Sequence, residues 1–286
     1  MPTESLPPGS HVLIAGLGLI GGSIALAIRR KNVRVTALVR DRDRYSDAIN
    51  AGVVDAVVSN ASEASDVTHG VVCTPVNVVV ETLVGIQRAH PHAFLTDAGS
   101  TKVTIAADAA TRLPHPERFV PAHPLAGSER TGWQAAHADL FHGRTCVLIA
   151  DGPSKDALET IRRLWKSCGF ATLHETTARQ HDDDLAQTSH LPHLVAAALV
   201  NAVTAPPSMR ATGYADTTRI AAGDPQLWTA IVRENPDPIR RALATMGREL
   251  RHIETAIASG DYTVVAEWLT RAAQARRGLT ENVAES

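Results

Sequence analysis

The stretch HVLIAGLGLIGGSIALAIRR, His11–Arg30, decides the fold. His11–Ala15 is short and mostly apolar, which suits a buried strand. Gly16, Gly18 and Gly21 follow in the spacing GxGxxG, and apolar residues then continue through Ile24 and Ile28 at helical intervals. The order strand, glycine turn, helix has a physical logic. Gly16 permits the tight turn, Gly18 lets backbone approach a pyrophosphate, and Gly21 lets helix and strand pack closely, with the free N–H groups of the helix start facing the anion. A second strand, VRVTALV, arrives at the interval a dinucleotide-binding unit requires.

That second strand runs into ALVRDRDR. Val39 or Arg40 stands at its tip, where an NAD site usually places an acid for the ribose 2′-hydroxyl. Asp41 lies just beyond, with Arg42 and Arg44 close by. A guanidinium pairs bidentately with a 2′-phosphate that a carboxylate would repel, so the pattern favours NADP, with NAD left open through Asp41. The candidate cofactor contacts are Gly16, Gly18, Leu19, Ile20 and Gly21 in the turn, Arg40 at the strand tip and Thr74 in CTP.

Further strands are expected at DAVVS, GVVCTP, AFLTDAGS, RFVPAHP, TCVLIA and FATLHE, with helices over Val78–Ala89 and Lys155–Ser167 between some of them. Alternation of this kind predicts a doubly wound, mostly parallel α/β sheet. Its ligand edge lies beyond the carboxyl ends of the strands, where CTP, DAGSTK and AHPLAGSE are expected to meet.

After TLHETTARQHDDD the strand-like runs stop. The expected organisation is a loose tail over 1–10, a Rossmann-type domain over 11–175 and an all-α helical domain over 176–286. Asp224 before Pro225, and Asn235 before Pro236, read as helix caps followed by proline at the first helical position. Ile239, Leu243, Met246, Leu250, Ile253 and Ile257 form an apolar stripe that Gly260 ends. So few helices leave apolar faces for a second copy, so a homodimer through this region is expected, against the simpler reading of a cap on its own first domain. A helix over about Thr177 to Val203 contains SHLPH, in which His190 and His193 share a face. Pro192, without an N–H, frees the carbonyl of Thr188 and is expected to bend the helix there. A zinc site would need a third ligand, such as His181 or an acid of DDD; polar residues facing a substrate cleft are the preferred reading, and no metal is expected.

Composition narrows the classes. The chain has 286 residues, 44% apolar and 20% charged, with a net charge of −2, and so offers no general attraction for nucleic acid. Its three cysteines, Cys73, Cys146 and Cys168, form no CxxC pair, which suits a reducing cytoplasm. MPTESLPPGS has no apolar run of a targeting signal. Val12–Ile28, the most membrane-like stretch, is short for a span and carries four glycines, so no membrane association is expected.

GLGLIGGS, DAGSTK, HPLAGSE, SHLPH and ADTTRIAAGDPQLW occur in this order through most of the chain, and together they resemble the prephenate/arogenate dehydrogenase family of tyrosine biosynthesis. The resemblance implies oxidative decarboxylation of a cyclohexadienyl acid, with hydride passed to NAD(P)+, by a Rossmann domain followed by a helical dimerisation domain. It implies His123 as catalytic histidine and Ser100 as the serine that hydrogen-bonds near both it and the nicotinamide of the cofactor, although Ser100 also reads as the N-cap of TKVTIAADAA. It implies Arg219 and His193, with His190 nearby, as substrate-binding residues, and Glu129 and Asp216 as acids organising the cleft mouth; Trp228 reads equally well as core. A neutral imidazole suits removal of the ring alcohol's proton, its ordinary pKa being about 6.5. The tail GLTENVAES after the last helix leaves no room for a regulatory or fused domain in this reading. Two rivals remain. One is another two-domain NADP-dependent hydroxyacid dehydrogenase, such as a 3-hydroxyacid dehydrogenase, against which stands the absence of any lysine after Lys166. The other is a non-catalytic NADP-sensing protein, against which stands the joint presence of His123, Ser100 and Arg219.

Overall fold

The computed structural model describes residues 5–29, 33–127 and 130–284, with side chains through 278. It forms two compact units, residues 1–236 and 237–286. The first begins with β1 (His11–Ala15), α1 (Leu19–Arg29), β2 (Arg34–Leu38), the short α2 (Asp47–Asn50), β3 (Ala56–Val58), β4 (His69–Val72), α3 (Val79–Ala89), β5 (Phe94–Asp97), α4 (Val103–Arg112) and β6 (Phe119–Val120). These strands make a six-stranded sheet in the order β3-β2-β1-β4-β5-β6, parallel throughout. This order reverses direction beside β1, which is the switch point at which doubly wound sheets bind dinucleotides.

Burial explains why β1 is nearly all apolar. Val12 and Ile14 pack into one core layer while Leu13 and Ala15 pack into the other, so neither face meets water. Trp165 is fully buried in the first layer and donates its indole N–H to Thr96 Oγ1 at 3.3 Å.

RFVPAHP, expected as one strand, is two. β6 ends at Val120, and β7 (Ala122–Pro124) belongs to a second, three-stranded sheet with β8 (Thr145–Ile149) and β9 (Thr172–Thr176), separated in the chain by α5 (Lys155–Ser167). Pro121 stands between them; it has no N–H for the β5 ladder, and its carbonyl accepts instead from Ile149 N at 2.9 Å. β7 pairs antiparallel with β8, setting His123 opposite Val147, and β8 pairs parallel with β9. His123 therefore lies within a strand rather than in a loop.

The remainder of this unit is helical: α6 (Ala178–Leu185), α7 (Leu191–Ala202), α8 (Thr212–Thr218) and α9 (Pro225–Glu234). α6 and α7 are joined by one π turn, Ala186–His190, closed by the Leu191 N–H on the Ala186 carbonyl. The turn falls directly before Pro192, where the missing N–H interrupts the regular ladder; the expected long helix thus has a widened turn at its histidines. Asp224 caps α9 by accepting from Gln226 N at 2.8 Å.

The second unit is built on α10 (Pro236–Ser259) and α11 (Tyr262–Ala284), with Gly260 between them at φ 71°, the left-handed conformation that ends a helix. Trp268 Nε1 on α11 donates to Glu249 on α10 at 2.9 Å. Leu243, Leu250, Ile257, Tyr262 and Leu269 are exposed along this helix pair. No helix among the described residues is long and apolar enough to cross a membrane.

Candidate active site

At the end of β5, Asp97 is fully buried. Its Oδ1 accepts from Ala122 N at 3.1 Å, and its Oδ2 accepts from Gly99 N at 2.8 Å and from Lys102 Nζ at 2.5 Å. Lys102 Nζ also donates to the Ala122 carbonyl at 2.9 Å, and neither charged side chain has any exposed surface. A buried charge is tolerated where it is paired and hydrogen-bonded, and this pair ties the end of β5 to the residue immediately before His123.

His123 is half-buried. Its Nδ1 lies 2.9 Å from His181 Nε2, with the rings edge to face at 5.1 Å. His181 is itself buried on α6, and its Nδ1 lies 2.7 Å from Asp182 Oδ1. Asp182 accepts two further N–H groups, Lys102 N on Oδ1 and Val103 N on Oδ2, both at 2.8 Å. It thereby satisfies the start of α4 from far along the chain. Burial, reinforced by the neighbouring His181, Lys102 and His190, holds His123 well below the ordinary imidazole pKa, so the ring is neutral near pH 7.

Beside this chain, the Asn235 amide donates to the Asp182 carbonyl at 2.8 Å and lies 3.4 Å from His190 Nδ1. The side-chain amide of Asn235, the residue expected to cap α10, is thus turned into the site. Burial pushes His190 down to about 4 and lowers His193 as well. His193 stacks on Trp228, ring centres 3.5 Å apart and planes 12° apart, while His190 meets the same indole edge-on at 6.3 Å. A Cβ on Gly223 would come within 2.6 Å of the Trp228 nitrogen and 3.1 Å of His193, so glycine there permits the stack. His193 Nδ1 is buried with no hydrogen-bond partner.

The other expected site residues are placed as follows. Ser100 is half-buried in the β5–α4 loop. It does not cap α4, whose first N–H groups go to Asp182, and the hydrogen-bond partner of His123 is His181, not Ser100. Arg219 and Asp216 are exposed; Arg219 opens a 3₁₀ turn, Arg219–Ala222, that packs against α7, the helix of His193. Glu129 lies outside the described residues. His181, weighed as a third zinc ligand, is engaged at both ring nitrogens by His123 and Asp182.

On the cofactor side, Gly16 has φ 93°, and a Cβ there would come within 2.8 Å of the Cys73 carbonyl oxygen. Above Gly18 nothing lies within 4 Å. Leu19 and Ile20, the first residues of α1, are half-buried. Thr74 Oγ1, just past β4, is buried with no partner. A tight turn opening on free space at a helix start, with an orphaned hydroxyl alongside, fits a dinucleotide pyrophosphate. Arg40 is exposed beyond β2, whereas Arg42 is 3.1 Å from Glu63 and Asp41 accepts from Arg44 N at 3.4 Å.

His181 and Asp182, linked to His123, and the Asp97–Lys102 pair were not singled out as partners of His123 by the sequence. Their letters stand in HDDD and DAGSTK, but those motifs are about eighty positions apart, and only folding joins them.

A glycine cradle at the switch point of a parallel sheet, with a neutral histidine on the adjoining β7, defines a Rossmann-type dinucleotide-dependent dehydrogenase. Family models agree: residues 24–173 match the prephenate dehydrogenase nucleotide-binding domain, and residues 177–271 match the prephenate dehydrogenase dimerization domain. The cyclohexadienyl dehydrogenase of Zymomonas mobilis is 33% identical, the match covering 94% of this chain and 96% of that protein. The structure of prephenate dehydrogenase from A. aeolicus, in complex with hydroxyphenyl propionate and NAD+, superposes with a TM-score of 0.88 at 26% identity, covering 96% of this chain and 99% of that one. Synechocystis arogenate dehydrogenase gives a TM-score of 0.82 at 26% identity, covering 93% and 98%. The chain belongs to the prephenate dehydrogenase family.

Proposed function

We propose that this protein carries out the oxidative decarboxylation of prephenate or arogenate, giving 4-hydroxyphenylpyruvate or tyrosine, CO₂ and a reduced nicotinamide dinucleotide. The observation that carries the reading is His123, a neutral imidazole fixed through Nδ1 beside the ligand edge of the sheet. The bound dinucleotide supplies a hydride acceptor. His123 takes the proton of the ring alcohol, which makes hydride departure from the same carbon favourable; loss of the ring carboxylate as CO₂ then leaves an aromatic ring. Ser100, on the neighbouring loop, offers a hydroxyl to the reacting region.

The substrate has two carboxylates, one lost and one kept on the side chain. Arg219 is the guanidinium for the anionic substrate, and its exposure leaves its donors available. His193, braced on Trp228, with His190 beside it, lines the side-chain end; Asp216 and Glu129 stand at the mouth of the cleft. Gly16, Gly18, Leu19, Ile20, Gly21, Thr74 and Ser100 hold the dinucleotide. Arg40, with no partner among the described residues, reads a 2′-phosphate and makes NADP the preferred cofactor. By function the domains divide at about residue 175, between the two family matches, although α6–α9 pack in one compact unit with the sheet, and the exposed apolar stripe of Leu243, Leu250 and Ile257 meets a second copy in a homodimer. Cys73, Cys146 and Cys168 are free thiols, in keeping with a cytoplasmic location.

The test is a crossed assay: purified protein with prephenate or arogenate, each with NADP+ or NAD+, followed by the near-ultraviolet absorbance of the reduced nicotinamide. At least one substrate must turn over, faster with NADP+. Inactivity in all combinations would sink the function, and equal use of both cofactors, unchanged in Arg40→Ser, would sink the role of Arg40.

A further inference from the structure

The hydrogen bonds around His123 fix which of its nitrogens carries the proton. Asp182 accepts from three N–H groups: Lys102 N, Val103 N and the facing His181 Nδ1. A carboxylate that receives this many donors is an acceptor at both oxygens, so His181 Nδ1 must be the nitrogen that bears hydrogen. With this as its one ring hydrogen, His181 presents a bare Nε2. That atom is 2.9 Å from His123 Nδ1, and two bare nitrogens at this distance would leave a repulsive, unsatisfied contact inside the protein. His123 Nδ1 must therefore donate, which leaves its Nε2 as the free lone pair; Nε2 has no partner among the described residues.

We propose that His181 and Asp182 are positioning residues that hold His123 in its Nδ1–H tautomer, so that Nε2 is the atom that receives the substrate proton. The chain His123–His181–Asp182 does for this imidazole what a single buried carboxylate does in a hydrolase triad, with a second histidine interposed as a spacer. The backbone secures each link. His123 is set by β7 pairing and by the Asp97–Lys102 pair gripping Ala122, and Asp182 is set by the start of α4. The Asn235 amide on the Asp182 carbonyl fastens the same segment from the other side. The charged and titratable groups facing the chain are Lys102, Asp97 and His190; none of them takes the place of His181 at His123 Nδ1.

The meaning of the tautomer rests on the proposed reaction, but the tautomer itself can be read without it. In protein labelled with ¹⁵N-histidine, nitrogens with and without hydrogen resonate in separate ranges, and His123→Gln and His181→Gln assign the two rings. The expected spectrum shows hydrogen on Nδ1 and a bare Nε2 for both His123 and His181 near neutral pH; a His123 ring protonated on Nε2 overturns the proposal. Kinetics supply the second arm. His181→Leu loses both ends of the spacer, whereas His181→Gln keeps a donor for Asp182 and an acceptor for His123. We expect kcat to fall by about 100-fold in the leucine variant with KM within about twofold, and the glutamine variant to recover at least about tenfold of the loss, the general-base contribution being about 10²–10⁴. Equal kcat in the two variants, whether both normal or both impaired, overturns it. Inactive wild-type protein with the expected spectrum would mark failure of the proposed function alone.

Discussion

Around His123 the charged groups are dry and matched, whereas around Arg219 they are wet and unmatched. Asp97 and Lys102 have no exposed surface and share one ion pair, and Asp182 is filled by three N–H donors. Arg219 and Asp216 are exposed, and no described residue pairs with either. The contrast separates two demands. A proton-transfer group works only if its orientation and ionisation are settled before substrate arrives, which favours a buried, saturated network. A guanidinium meant for a carboxylate must keep its donors free until the ligand supplies the partner. Substitutions on the dry side should therefore alter stability and kcat, and those on the wet side should alter KM.

The hardest blow to that division falls on the ion pair. Lys102→Met leaves Asp97 charged, buried and without its counter-ion, which should cost about 3–5 kcal/mol, much of the about 5–15 kcal/mol that holds a domain together. Chemical denaturation would show it as a lower midpoint with the same slope; an unchanged midpoint would mean that the pair is not a structural tie.

His123→Asn is the next largest effect. It removes the base while preserving size and polarity, and kcat should fall by about 10²–10⁴-fold with KM little changed. Steady-state kinetics decide it, and an unaltered kcat would end the assignment. On the wet side, Arg219→Ala should raise KM by about 10- to 100-fold, as expected for one charge-assisted hydrogen-bonded contact of about 1.5–3 kcal/mol, and leave the melting temperature unmoved. A loss confined to kcat would put Arg219 on the same footing as His123 and erase the distinction between the two sides.

The sequence spoke clearly about one part of this arrangement and faintly about the other, for a physical reason. The glycine turn is a local device: its geometry is set by neighbours in the chain, so the spacing of Gly16, Gly18 and Gly21 already specified a strand, a turn and a helix start. His123 could be singled out because it stood in a punctuated motif. The network behind it could not, because the link from Lys102 N to Asp182 spans 80 positions and depends on α6 packing against α4. Ser100 shows the cost of local reasoning: directly before the expected helix TKVTIAADAA it was the natural cap, yet a carboxylate from α6 takes the N–H groups of Lys102 and Val103. Pro121 is a similar case, since RFVPAHP was read as one strand where the missing N–H of Pro121 made two.

The smallest effect concerns acidity, and it tests whether burial alone, apart from catalysis, distinguishes the dry side. Burial holds His69 and His190 at about 4, and His69 Nε2 has no hydrogen-bond partner to compensate a charge. In the unfolded chain the same rings titrate near about 6.5, so below that pH the unfolded state binds protons that the folded state refuses. Stability is therefore full above about 6.5 and drains away as pH falls toward about 4, by less than about 1 kcal/mol per histidine between pH 7 and pH 6. Melting temperatures recorded across this range should be flat on the alkaline side and decline on the acid side. Replacing His69 with glutamine, a neutral side chain of similar size that never takes up the proton, should flatten part of the decline. A profile identical to the wild type would show that His69 is not one of the groups resisting protonation, and would leave the other histidines that burial lowers, His11, His123, His190 and His193, as the source of the acid sensitivity.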